Sequence, residues 1–266
     1  MIPAYKQARF HRLCQNALRE QRSQGEAGIG TLAEKRLHAV IKRYLCEDED
    51  CHEVGVLNTR YVSDVRVGND VYEVQTGAFS PMKKKIDHYL TQTDCNVTVV
   101  HPIPAVKWVS WITKEGELLA PRKKSPKKER PENLLAELYC LREHLGNPRL
   151  KFVLLLIEAE DVRLCSARAK NPKKNAVRYE RIPLALLDEL EFSSPADFRH
   201  FIPDALPQRF TVKQFSDLTK IRGRDAYSAV RVLASLGLFY ESSPIGRAMA
   251  WERTEPKPQN LPCDKS

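Results

Sequence analysis

The chain has 266 residues, 42% hydrophobic and 29% charged, a balance that supports a globular core and excludes a disordered chain. No run approaches the roughly eighteen consecutive apolar residues of a membrane span, and Met1-Ile2-Pro3-Ala4-Tyr5-Lys6 lacks the apolar stretch of a secretory signal, so a cytoplasmic location and no membrane partner are expected. The net charge of +9 points to polyanionic partners, nucleic acid first, and seven cysteines without framework spacing read as free thiols in a reducing compartment.

Residues 1–30 are polar and irregular, with helical stretches around Arg9 to Arg22 but no strong apolar stripe. The first convincing helix follows. Thr31 caps it, Glu34 completes a capping box, and Leu37, Val40, Ile41, Tyr44 and Leu45 repeat at helical spacing. Glu34 and His38 lie one turn apart on a shared flank, although His38 by itself reads as a surface residue. Cys46 to His52 holds zinc-type ligands, but no second pair at familiar spacing completes a tetrahedron.

Two short runs then flank Gly68-Asn69: Tyr61 to Val67 and Val71 to Thr76. A two-residue hairpin loop sets Val67 against Asp70 and, three steps back, Asp64 against Glu73, with Gln75 further along the same face. Carboxylates so opposed have Cβ atoms only about 4.5–5.5 Å apart and destabilise a sheet. A divalent cation with oxygen ligands would offset the repulsion.

Ser80-Pro81 starts a helix that buries Met82, Ile86, Tyr89 and Leu90; Lys83 and Lys85 flank that stripe and Lys84 points away. Strands are expected over Asn96 to His101 and Val106 to Thr113, then a basic loop at Pro121 to Pro131 carrying Arg122, Lys123, Lys124, Lys127, Lys128 and Arg130. A helix from Glu132 to Leu145 leads into an apolar strand, Lys151 to Ile157, which continues or pairs through Val162 to Cys165. The succession predicts an α/β fold, a mixed sheet flanked by helices.

A second unit starts near Ser193. Pro195 to Phe201 is a short helix, Thr211 caps a helix that buries Val212, Phe215 and Leu218, and Arg222-Gly223-Arg224 makes a turn. Asp225 opens a helix with Ala226, Ala229, Val230, Leu233 and Leu236 inward, ended by Gly237, and strands follow at Leu238 to Glu241 and Ala248 to Glu252. The tail, 255–266, is expected to be disordered.

Glu34 on a helix, Asp64 on one strand and Glu73-Val74-Gln75 on the next resemble the PD-(D/E)XK nuclease superfamily, whose restriction-endonuclease-like core is helix, three-stranded meander, helix, strand. The resemblance covers roughly 30–158 within a domain of 1–192. It implies Mg2+, with Mn2+ as a substitute, held by Asp64, Glu73 and the Val74 carbonyl with Glu34 assisting. Gln75 stands where the superfamily pattern has lysine, so the resemblance passes the cationic role to Lys85 or, failing that, Lys83. Loss of that lysine is also what a binding-only descendant would show.

Residues 193–254 resemble winged-helix DNA-binding domains, a small α+β fold. That resemblance implies Arg224, Tyr227, Ser228 and Arg231 in the major groove and Arg247 on a phosphate. Lys83, Lys123, Lys124, Lys127 and Lys128 would add phosphate contacts. The expected activity is Mg2+-dependent phosphodiester hydrolysis on duplex DNA, and cutting both strands needs the two sites a homodimer would supply. The alternatives are a catalytically inactive, nuclease-like DNA-binding regulator, and a basic loop and winged helix that grip RNA or a protein partner.

Overall fold

The computed structural model describes residues 2–23, 36–56, 59–165 and 176–254, so Thr31, Glu34 and the tail beyond Thr254 lie outside the described residues. The chain folds as two compact units, one drawn from Met1–Pro131 and Asn147–Ser193, the other from Glu132–Gly146 and Ser194–Ser266.

In chain order the elements are α1 (Ala4–Ser23), α2 (Arg36–Leu45), β1 (His52–Gly55), β2 (Val62–Val67), β3 (Asp70–Val74), α3 (Lys83–Gln92), β4 (Asn96–Ile112), β5 (Leu118–Lys124), α4 (Leu134–Leu138), β6 (Leu150–Leu164) and β7 (Val177–Phe192). All but α4 belong to the first unit. Its sheet runs β1-β2-β3-β4-β6-β7, with β5 paired to the far half of β4. β1, β2 and β3 form an antiparallel meander, β3 and β4 run parallel through α3, β4 and β6 are parallel, and β7 closes the sheet antiparallel to β6. The mixed sheet flanked by helices is therefore present. Among the described residues, no helix is long and apolar enough to cross a membrane.

The main core joins Phe10, Leu13, Cys14 and Ala17 of α1 to Leu37, Val40, Ile41 and Tyr44 of α2 over a sheet face of Val74, Val100, Leu155, Ile157, Ala159 and Leu186. α1 is one continuous helix over Ala4–Ser23, where only helical stretches around Arg9 to Arg22 were expected. Its stripe holds helical spacing, but cysteine and alanine carry little of the apolar signal and arginines surround it.

Three further expectations change. β4 is one strand despite Pro102 and Pro104. The Val100 carbonyl accepts from Gln75 N–H on the β3 side, so the backbones of Pro102 and Pro104 face that side too; β3 has ended there and β5 pairs only from Trp108 onward, so no ladder bond is lost. The basic segment is not all loop, because Pro121 to Lys124 form the second half of β5. β7, unread in the sequence, carries charges that the fold neutralises: Glu180 meets Arg36 at 2.7 Å and Arg181 meets Asp161 at 2.6 Å, all four side chains largely buried.

The segment Glu132–Gly146, over which a single helix of the first domain was expected from Glu132 to Leu145, belongs to the second unit. Its short α4, between two 3-10 turns, buries Leu134, Leu135 and Leu138 and packs against α6 (Gly223–Ser235), and the 3-10 turn after it buries Leu141. The rest of that unit is β8 (Arg209–Thr211), α5 (Val212–Thr219), α6, β9 (Phe239–Ile245) and β10 (Ala248–Arg253), with an antiparallel sheet ordered β8-β10-β9. Thr211 and Gln214 form a reciprocal capping box at α5. α5 buries Phe215 and Thr219 and leaves Leu218 exposed, contrary to the stripe expected. α6 starts at Gly223, so Arg224 sits in its first turn and not in the preceding loop. Gly237, at φ 71°, ends it, with Leu238 N–H reaching back to the Leu233 carbonyl at 3.0 Å.

Candidate active site

The β2–β3 turn fixes the site. Gly68 takes φ 60°, and the pairs Val67 with Asp70, Arg66 with Val71 and Val65 with Tyr72 follow the two-residue register. One step further the side chains of Asp64 and Glu73 separate into different hydrogen-bonding environments. Asp64 Oδ2 accepts from Val74 N–H at 2.6 Å and lies 3.3 Å from His38 Nε2 on α2. Glu73 turns to α3, where Lys85 Nζ donates to its Oε2 at 2.5 Å and the Tyr89 hydroxyl to its Oε1 at 3.2 Å.

The two carboxylates are electrically distinct. Burial pushes the Glu73 carboxyl up to about 7, with the Asp64 charge adding to that and Lys85 and Tyr89 opposing it. Burial acts on Asp64 in the same sense, but the hydrogen bond and charge of His38, the Val74 N–H and the charge of Lys85 outweigh it and hold the carboxyl below its usual value. Burial and Glu73 raise the Tyr89 hydroxyl. Two neighbouring acids pushed in opposite directions, in reach of a lysine, form an arrangement more typical of functional sites than of surface ion pairs.

The family model described as Domain of unknown function (DUF8091) matches residues 35–193, more than half of the chain. The chain belongs to the DUF8091 family. No curated protein and no solved structure matches it.

The DUF8091 match begins just after Glu34, takes in His38, Asp64, Glu73, Gln75 and Lys85, and ends before the β8–β10 unit. Of the residues expected in the site, Asp64, Glu73 and Lys85 come together. Gln75 lies beside them in sequence, but its amide donates to the Ala78 carbonyl at 2.5 Å, and its own carbonyl meets His101 Nδ1 at 2.5 Å. Lys83 is half-buried in the first turn of α3, and Lys84 is exposed. His38 and Tyr89 are the additions: His38 is not a surface residue but a half-buried partner of Asp64, and Tyr89 joins the core stripe of α3 to Glu73. Among the described residues, no three His, Cys, Asp or Glu side chains are grouped to hold a metal ion. The oxygen donors on hand are the carboxylates of Asp64 and Glu73 and the Val74 carbonyl, a donor set suited to Mg2+.

The expected nucleic-acid residues of the DUF8091 domain, Lys123, Lys124, Lys127 and Lys128, are all exposed, the first two on β5 and the others just beyond it. In the second unit Arg224 and Tyr227 project from α6 and Arg247 from the β9–β10 turn, all exposed. Arg231 is held by Glu241 at 2.9 Å and lies over the Tyr227 ring, which offsets part of its charge.

Proposed function

We propose that this DUF8091 protein is a Mg2+-dependent DNA endonuclease of the PD-(D/E)XK type, with Mn2+ able to substitute. The observation that carries the reading is the meeting of Asp64, Glu73 and Lys85 where β2 and β3 part. The succession α2, β1-β2-β3 meander, α3 and parallel β4 supports it, because it is the helix, meander, helix, strand order of the restriction-endonuclease-like core.

Asp64, Glu73 and the Val74 carbonyl would hold the ion, with Glu34 assisting. When bound, Mg2+ supplies a water of lowered pKa and a clamp on phosphate oxygens. The chain's own residues do the rest. His38 and the Val74 N–H keep Asp64 ionised and oriented, Tyr89 orients Glu73, and Lys85 offers its ammonium to the charge that develops on the phosphate.

In the second unit, the order β8-α5-α6-β9-β10 supports a winged helix-turn-helix that holds the duplex, with α6 toward the major groove and Arg247 toward a phosphate. A second reading, a non-catalytic DNA-binding protein on the same scaffold, is favoured by one observation: the residue in the lysine position, Gln75, spends its amide on Ala78.

Supercoiled plasmid separates the two. The enzyme nicks it in Mg2+ and leaves it intact in EDTA; a binding protein shifts it equally in both. Lys85→Ala is expected to lower turnover at least about tenfold more than Lys84→Ala, on the scale of losing a charge-stabilising group, and equal effects would remove Lys85 from the site. For the second unit, charge reversal is a cleaner probe than truncation, which would strip α4 of its packing partners. Arg224→Glu combined with Arg247→Glu should weaken DNA binding and flatten its log–log salt slope by about 2, near 0.9 for each lost phosphate contact.

A further inference from the structure

The strongest unused feature is the ribbon formed by β5 and the far half of β4. β5 ends in Arg122-Lys123-Lys124, and Lys127 and Lys128 follow. Among the described residues, Lys123, Lys124, Lys127 and Lys128 meet no carboxylate within ion-pair distance, whereas their neighbours are matched: Arg122 with Glu160 at 3.1 Å and Lys107 with Glu129 at 3.2 Å. Four unmatched cations on one short stretch repel one another. Lys123 and Lys124 are fixed in a hydrogen-bonded strand, and the Trp108 ring carries the Arg122 guanidinium at 4.8 Å and the Lys124 ammonium at 5.9 Å. The Trp108 indole N–H is itself tied to Glu158 at 2.5 Å. Lys123 and Lys124 are thus mounted on a braced strand, and Lys127 and Lys128 follow it in a turn in which the Lys127 N–H donates to Ser125 Oγ at 3.2 Å.

Register locates that strand relative to the site. Glu73 pairs with Val99 and Lys124 with Trp108, so the two lie nine residues apart along one strand. The β4–β6 pairing carries a one-residue bulge at Ala105, so Val99 faces Phe152 and Trp108 faces Glu160, eight residues apart on β6. An even step on β6 keeps Trp108, and with it Arg122 and Lys124, on the same sheet face as Glu73. At about 3.3 Å per residue the separation is roughly 30 Å, less a little for bulge and twist.

The geometry points to a phosphate ruler: Lys124, Lys127 and Lys128 grip the backbone of duplex DNA roughly 9 base pairs from the phosphate at Asp64 and Glu73, at 3.4 Å per base pair. This rests on the nuclease reading and adds the length of duplex the site requires. Regular phosphates at a fixed pitch are what cations held at a strand end can match, and the Trp108 ring carries the Arg122 and Lys124 cations there.

The test uses the full chain and two blunt DNA duplexes, about 30 and about 8 base pairs long, the second too short to span the ruler. Anisotropy titration is run on wild type and on a Lys124→Glu, Lys127→Glu, Lys128→Glu variant. On the long duplex the variant should bind at least about tenfold more weakly, with a salt slope lower by about 2 to 3. On the short one its loss should be within about threefold, because those phosphates are absent. Hydroxyl-radical footprints of wild type should show a protected patch close to one turn from the cut, missing in the variant. Equal weakening on both lengths, or none on either, overturns the ruler while Mg2+-dependent nicking stands. An RNA duplex of the longer length bound as tightly as DNA overturns the choice of DNA. If wild type neither nicks plasmid nor binds either duplex, the nuclease reading itself falls.

Discussion

Asp64→Asn is expected to abolish Mg2+-dependent plasmid nicking and to leave DNA affinity within about twofold of wild type. The amide keeps the size of the carboxylate and an oxygen for the Val74 N–H, so the β2–β3 junction holds, while the negative oxygen that would grip the ion is gone. The loss should exceed the roughly 10–100-fold that follows removal of an outer partner of a metal ligand. Glu73→Gln should act in the same way and leave the Tyr89 hydroxyl an acceptor. A binding check makes the result specific. Mg2+ stabilises a protein that binds it only in the folded state, so millimolar Mg2+ should raise the melting temperature of wild type and not of Asp64→Asn. If Asp64→Asn keeps more than about a tenth of the nicking rate, the ion does not depend on this carboxylate and the PD-(D/E)XK assignment is withdrawn.

The site was legible because its geometry is local. Gly68-Asn69 dictates a two-residue turn and the turn dictates register as far as Val65 with Tyr72, one step short of Asp64 and Glu73, without knowledge of the rest of the chain. What remained unread depends on partners distant in sequence. β7 looks too charged for a strand until Glu180 and Arg181 are seen against Arg36 and Asp161. β4 looks broken at Pro102 and Pro104 until its neighbour is known to stop at Val74. His38 drew no weight from periodicity, since its role comes from α2 crossing β2, and one turn of helix from Glu34 was its single signal. The placement of Glu132–Gly146 in the second unit has no local signature, because a leucine stripe says that a face is buried and not against what.

Folding stability should fall as pH rises from the mid-fours to about 7, by an amount on the order of 3 kcal/mol for Glu73 alone. The unfolded carboxyl ionises near 4.5, and the folded one, with its side chain 6% exposed, holds its proton up to about 7. Between those values the folded state binds more protons than the unfolded state, so each rise in pH favours unfolding; the contribution is full below 4.5 and lost above 7. Asp64 has the opposite sign and another window, since its lowered folded value makes its contribution present above the unfolded 3.8 and lost only in acid beneath that. Urea midpoints measured without metal between about pH 5 and pH 8 therefore read Glu73 with little interference from Asp64. Glu73→Gln, neutral throughout, should flatten that part of the curve and be relatively more stable than wild type at the alkaline end. A slope that persists in Glu73→Gln would mean another group carries it. Such a site holds a carboxylate where the fold resists its charge, and the chain tolerates that destabilisation at neutral pH with Lys85 at 2.5 Å.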